Sequence, residues 1–293
     1  MIVPGAALGS PGLPVARFAA FSFVDRITTI DGLSMVEGVY KIPSGVGFFP
    51  VSLVAEAIGQ LAAWVAMSNV AFKRRPVAAL AGETRIHSLV KPGDTLVLHV
   101  DIESCDEEAI VYRGRATVNG KLVLELLDTI GSMLDTEEFD EPSRLAADFR
   151  VLTGAGRQPG LFPGVPQPSL VSLSHEPGLS LTASLAVPSD GSYFADHFPL
   201  RPVFPATLML DAQLRLAQQI AQESAGAPVR VTRITNVKVR AFTAPGATLE
   251  LFAEHASSQE PDDQMLVKVG ARADSRTIAG AKMYFATVSG ESQ

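Results

Sequence analysis

The chain has 293 residues, 47% hydrophobic and 19% charged, a composition of ordinary globular proteins and not of disordered ones. Lys and Arg total 24 against 31 Asp and Glu, a net charge of −7, which argues against a chain devoted to neutralising nucleic-acid phosphates. Length alone allows two domains, and a single cysteine, Cys105, excludes an intrachain disulfide and a Cys-rich zinc site.

Residues 1–14 are rich in Gly and Pro and read as a loosely held arm. The first positive charge is Arg17, so the basic start of a secretory signal is not expected. FSFVDRITTI and LSMVEGVYKI are strand-like and meet in a hairpin at Asp31-Gly32. Pro50 opens a long run of helix formers, VSLVAEAIGQLAAWVAMSNVAF, expected to end in the basic cluster Lys73-Arg74-Arg75. Its most apolar part, Val51 to Met67, contains Glu56 and Gln60 and is shorter than the roughly 20 apolar residues that cross a bilayer. No membrane span is expected, and the cytoplasm is the default location. Three β-rich segments follow: VAALAGETRIHSLV, then DTLVLHVDIES, then AIVYRGRATVNGKLVLELLDTIGSML, which folds back at Asn119-Gly120.

From Thr136 to about Gly178 the composition turns acidic and then Pro/Gly-rich, with room for one short helix in DEPSRLAADFRVL. A connector this long reads as the crossing between two packed halves. The earlier order then returns. LSLTASLAVPSDGSYFA gives a strand and a turn, Pro205 opens the helical run ATLMLDAQLRLAQQIAQE, and VTRITNVKVRAF, TLELFAEHASS and QMLVKVGARADSRTIAGAKMYFATV are strands. Pro50 to Pro92 is 42 residues, Pro205 to Pro245 is 40, and PGDTLVLHVDIES aligns with PGATLELFAEHAS without a gap. A repeat of over 100 residues indicates duplicated domains and not a solenoid. The expected class is α+β: an N-terminal domain at 15–138, a linker at 139–178 and a C-terminal domain at 179–293.

Glu56 lies in a helix that is apolar on nearly all sides, where a carboxylate is expensive unless paired or functional. It either serves chemistry, oriented by Gln60 at i+4, or faces a solvated edge or makes a structural hydrogen bond. His197 sits in DHFPLRPVFP, where Pro199, Pro202 and Pro205 restrict the loop and hold a side chain in place. The other histidines, His87, His99, His175 and His255, have no carboxylate at metal-motif spacing, and no metal site is expected.

The stretch from His197 to Asp211 resembles the active-site segment of the 3-hydroxyacyl-(acyl-carrier-protein) dehydratases, with His197, Phe198, Pro199, Pro202, Pro205 and Asp211 in register. FFPVSLVAEAIGQLA resembles that family's helix opening, and FSFVDRI, KPGDTLVLHVDI and YRGRATVNGKLVLE its flanking strands. The resemblance implies a double hotdog: two curved antiparallel sheets, each wrapping a long helix, packed as a pseudo-dimer. It also implies a site that takes its histidine from one half and its carboxylate from the other. Pro205 aligns with Pro50 and Asp211 with Glu56, but eight residues before Pro50 stands Ile42. One site, His197 with Glu56, is then complete. The mirror site keeps Asp211 without a histidine, and Arg215 at i+4 is placed to neutralise it. The tandem plan also resembles the dehydratase domains of polyketide and polyunsaturated-fatty-acid synthases.

The implied reaction removes water from a 3-hydroxyacyl thioester, with His197 as base, Glu56 protonating or orienting the hydroxyl, and the Ala206 N–H polarising the thioester oxygen. Gln60, Phe198 and Pro205 are implied as positioning residues, and no cofactor is implied. Leu200 replaces the family's glycine and is expected to disturb the substrate tunnel. The acyl group arrives on acyl carrier protein or coenzyme A; a carrier would dock on Lys73, Arg74 and Arg75, or on Arg201, Arg230, Arg233, Lys238 and Arg240. A hotdog thioesterase and a non-catalytic acyl-binding scaffold are the alternatives. One chain already holds both halves, so a monomer suffices and a homodimer is allowed.

Overall fold

A computed structural model describes residues 18, 20–257 and 264–288; the arm expected at 1–14 lies outside them. The first half runs β1 (Arg26–Asp31), β2 (Met35–Lys41), α1 (Val51–Asn69), β3 (Arg74–Ile86), β4 (Thr95–Cys105), β5 (Ala109–Val118) and β6 (Lys121–Asp135). After α2 (Pro142–Thr153), the second half runs β7 (Leu170–Glu176), β8 (Ser180–Ala186), α3 (Ala206–Ala225), β9 (Val229–Val239), β10 (Thr248–Ala256), β11 (Met265–Ala273) and β12 (Arg276–Thr287).

All these strands join one antiparallel sheet in the order β1-β2-β4-β5-β6-β3-β9-β12-β11-β10-β8-β7. Followed inward from either end, the order is the same: β1, β2, β4, β5, β6, β3 answer to β7, β8, β10, β11, β12, β9. The halves meet where β3 pairs with β9, Thr84 opposite Ile234.

Alternation along the strands turns one face of each half inward. Leu96, Leu98 and Val100 of β4, and their counterparts Leu249, Leu251 and Ala253 of β10, are fully buried. They wrap the apolar faces of the two long helices. Leu53, Ala57, Ile58, Leu61 and Val65 of α1 are buried, and so are Leu208, Ala212, Leu216 and Ile220 of α3. Burial of each Leu or Ile stabilises by about 1.5–3 kcal/mol, far more than helix propensity differences of a few tenths. At Gly114 of β5 the helix comes so close that a Cβ would stand 2.4 Å from Ile58 Cγ2 and 2.9 Å from the His99 carbonyl oxygen. Each half is a hotdog, and α1 touches α3 across the middle. The fold is the α+β double hotdog that the repeat implied.

Two local expectations change. The first helix stops at Asn69, because Ala71 and Phe72, at φ 51° and 61°, reverse the chain. The Phe72 N–H donates to the Met67 carbonyl at 2.7 Å. Arg74 and Arg75 therefore enter β3 instead of the helix's last turn. The segment 139–178 also holds more structure than a linker with one helix. Besides α2 it contributes β7, an edge strand paired with β8, whose side chains are nearly all exposed and so lack apolar alternation. The Asn119-Gly120 hairpin has positive φ at both residues, 51° and 76°, as a two-residue turn requires.

Candidate active site

His197 follows a short 3-10 turn (Ser192–Ala195) and opens the proline-stiffened loop into α3. Its Nδ1 lies 3.1 Å from the Val203 carbonyl oxygen. An acceptor there requires the proton on Nδ1, which leaves the lone pair on Nε2. Two backbone hydrogen bonds close the loop: His197 N–H to Tyr193 O at 2.9 Å and Val203 N–H to His197 O at 3.3 Å. The imidazole stacks on Phe198, 4.1 Å between centroids and 21° between planes, and meets the Phe21 ring edge-on at 5.4 Å. Burial draws its pKa below the ordinary imidazole value; Glu56 pulls the other way, and Arg75 adds to the lowering.

Glu56 stands in the second turn of α1 and is half-buried. Gln60, one turn on, donates from Nε2 to Glu56 Oε1 at 2.9 Å. Thr207 of α3 donates from Oγ1 to Oε2 at 3.1 Å. Gln60 is itself held, accepting from the Phe23 N–H at 2.8 Å and donating to Phe21 O at 3.0 Å. The carboxylate is thus gripped from both halves, and it does not face a solvated edge. Thr207 was absent from the sequence reading, which had no means of showing that α3 crosses α1 at this point.

Both groups line one cavity of about 200 Å³, together with Gln60, Phe198, Ala206 and Thr207. Ala206 opens α3 directly after its N-cap Pro205. N–H groups in a helix's first turn have no acceptor within the helix and carry the positive end of its dipole. Pro205 fixes that entry and is not on the lining. Leu200 is 57% exposed and also off the lining, so it does not narrow the cavity as expected. The loop turns it outward, its N–H donating to Phe139 O at 3.0 Å.

Arg75 is on the lining too, which corrects its placement in a docking patch. It is the second residue of β3, its Cζ 3.9 Å from the Phe198 ring centroid and its Nη1 3.7 Å from Asp140 Oδ2. Burial lowers its guanidinium to about 10, with Asp140 opposing. Of the second proposed patch, Arg201 is paired with Glu138 at 2.8 Å and Arg233 lies 4.0 Å over the Tyr284 ring.

The N-terminal segment is clamped over the histidine from two sides. Asp196 Oδ2 accepts from the Ala20 N–H at 3.0 Å, the Phe21 N–H at 2.8 Å and the Ser22 hydroxyl at 3.2 Å. Arg157 donates to Ser22 O at 2.6 Å and Val24 O at 2.9 Å and pairs with Asp25 at 3.0 Å. At the mirror position an apolar residue stands in place of the histidine. Ile42 is fully buried, Arg215 Nε is 4.0 Å from Asp211 Oδ2, and Arg215 also donates to Pro168 O at 3.0 Å. Burial raises Asp211, with Arg215 lowering it.

Fold and cavity together define a double-hotdog protein whose two halves bring a histidine and a carboxylate to one cavity. Solved structures agree on the fold. The oleoyl thioesterase (putative) from Lactobacillus plantarum superposes with a TM-score of 0.58 at 11% identity, covering 87% of this chain and 97% of that one. The dehydratase domain of PpsC from Mycobacterium tuberculosis in complex with C12:1-CoA gives 0.53 at 16%, covering 92% and 100%. In sequence, the ApeI-like family (ApeI dehydratase) matches residues 174–275. The 3-hydroxyacyl-(acyl-carrier-protein) dehydratase FabZ of Rickettsia massiliae (strain Mtu5) is 34% identical over 117 residues, 36% of this chain and 81% of that protein. FabZ of Rickettsia rickettsii (strain Sheila Smith) is 34% identical over 85 residues, 28% of this chain, and the match spans 59% of that relative's length. The chain belongs to the 3-hydroxyacyl-(acyl-carrier-protein) dehydratase family.

Proposed function

We propose that the chain reversibly dehydrates 3-hydroxyacyl thioesters to trans-2-enoyl thioesters. The observation that carries this reading is the meeting of His197 and Glu56, from opposite halves, in one cavity at the N-terminus of α3. Nε2 of His197 accepts the C2 proton. The electron pair of that C–H bond becomes the C2–C3 double bond as the C3–O bond breaks, and protonated Glu56 gives its proton to the departing hydroxyl, which leaves as water. Charge developing on the thioester oxygen is met by the Ala206 N–H. Return of the proton from His197 to Glu56 resets the pair. Burial, by favouring neutral imidazole, suits His197 to the first step. Phe198 supports the ring, Gln60 and Thr207 orient the carboxylate, and Pro205 sets the start of α3.

The scheme needs no metal or organic cofactor. The acyl group is carried on acyl carrier protein or coenzyme A, in fatty-acid or polyketide-type biosynthesis, in the cytoplasm. A monomer holds one complete site: the N-terminal domain at 15–138 supplies Glu56, and the C-terminal domain at 179–293, extended back to β7, supplies His197. Asp211 and Arg215 are the remnant of a second site. The test is incubation of wild type and His197→Ala with a panel of 3-hydroxyacyl thioesters, following water loss by mass and free thiol separately. Water loss that falls by about 10²–10⁴ in the variant supports the proposal. Free thiol release would replace it with a thioesterase, and neither product, with thioester still bound, with a scaffold.

A further inference from the structure

Arg75 is a buried charge that the dehydration scheme does not use. Asp140, its nearest counter-ion, is already engaged by Arg144, whose Nε donates to Oδ1 at 2.7 Å and whose Nη2 donates to Oδ2. Nε and Nη1 of Arg75 are buried and make no hydrogen bond among the described residues. An apolar side chain would fill such a wall at no loss, since replacing buried ions by well-packed hydrophobic residues is often neutral or stabilising. The charge therefore calls for a use. Its surroundings supply one: the guanidinium carbon stands 3.9 Å from the centre of Phe198, the ring on which His197 stacks.

We propose that Arg75 is a positioning residue for the catalytic base: set against Phe198 beside His197, its fixed charge keeps the imidazole in the neutral, proton-accepting form. This rests on the reading of His197 as base. The charged groups facing the cavity around His197 are Glu56 from α1, Arg75 from β3, Asp140 ahead of α2, Arg144 and Asp148 of α2, and Asp196 on its own loop. The carboxylates stabilise imidazolium when ionised. A guanidinium, which stays protonated throughout the working range, opposes them at every pH. The direction of Arg75's influence on His197 agrees, opposite to that of Glu56.

The experiment is an NMR titration of His197 in the whole chain without substrate, for wild type, R75M, R75Q and R75K, beside the pH dependence of kcat/KM. The wild-type midpoint is expected below the ordinary imidazole value of about 6.5. R75M and R75Q are expected to raise it by about one unit, moving the acid limb of kcat/KM with it and leaving KM unchanged, while R75K stays near wild type. A wild-type midpoint above the ordinary value overturns the proposal whether or not the variants fold. So does an unchanged midpoint in a folded neutral variant, which is what a packing role alone would give. Because the titration needs no turnover, a shifted midpoint in a protein that loses no water keeps the effect of Arg75 on the His197 imidazole and removes the dehydratase reading, and with it the catalytic role of the pair.

Discussion

Asp196 offers a sharp check on how the site is held together. Its Oδ2 receives three donors, two of them backbone N–H groups of the buried residues Ala20 and Phe21. A buried N–H left without an acceptor costs about 1–3 kcal/mol, and bonds to a charged acceptor are worth more than neutral ones. Asp196→Ala should therefore cost about 3 kcal/mol, roughly a hundredfold in the folded-to-unfolded ratio. At about 2 cal/mol/K of unfolding entropy per residue, a chain of 293 residues should lose about 5 °C of melting temperature. Asp196→Asn keeps a neutral oxygen and should lose about a third as much. The loss is also local, because it releases the Phe21 ring that meets His197 edge-on. Trp64, the single tryptophan, lines the same cavity and reports unfolding by fluorescence, while amide exchange at Phe21 reports the local opening. An alanine variant that melts with wild type and protects the Phe21 amide equally would refute the clamp.

Gly114→Ala places a methyl 2.4 Å from Ile58 Cγ2 and 2.9 Å from the His99 carbonyl, and urea unfolding should show a loss of about 1–3 kcal/mol from overpacking. Thr207→Val removes the hydroxyl that holds Glu56 Oε2 and should lower kcat/KM about fivefold, equivalent to one hydrogen bond of about 1 kcal/mol. An unchanged rate would show that Gln60 alone orients the carboxylate. Burial holds the Asp211 carboxyl above the ordinary aspartate value, so the folded protein binds that proton more tightly than the unfolded chain. Its ionisation costs stability once the pH passes the folded pKa. Asp211→Asn should therefore be the more stable form at pH 7, its advantage shrinking as the pH falls through the folded pKa toward the ordinary value. Urea titrations at both ends of that window measure it, and a variant weaker than wild type at pH 7 contradicts it.

Most of the double hotdog was legible because its determinants are local. The aligned runs PGDTLVLHVDIES and PGATLELFAEHAS marked β4 and β10, Pro50 and Pro205 marked the helix starts, and Asn119-Gly120 marked a turn. The edge strand β7 was not, since a strand with exposed side chains carries no apolar period. The His197–Glu56 pairing was read from motif resemblance and register, and the geometry brings both into one cavity. What escaped were the residues defined by crossing: Thr207, reaching from α3 to α1, and Arg75, which reads as one more surface cation in a basic run. Leu200 misled in the opposite way, because a departure from a motif reveals nothing of which way the side chain turns.

The pairing of β3 with β9 has a consequence for dilution. A site shared between two separate chains is lost when the chains part, so its specific activity falls with protein concentration. Here the two contributors are joined by backbone as well as by the seam, and each sees the other at a fixed effective concentration. Activity per mole should stay constant down to the lowest concentrations at which the assay can follow it.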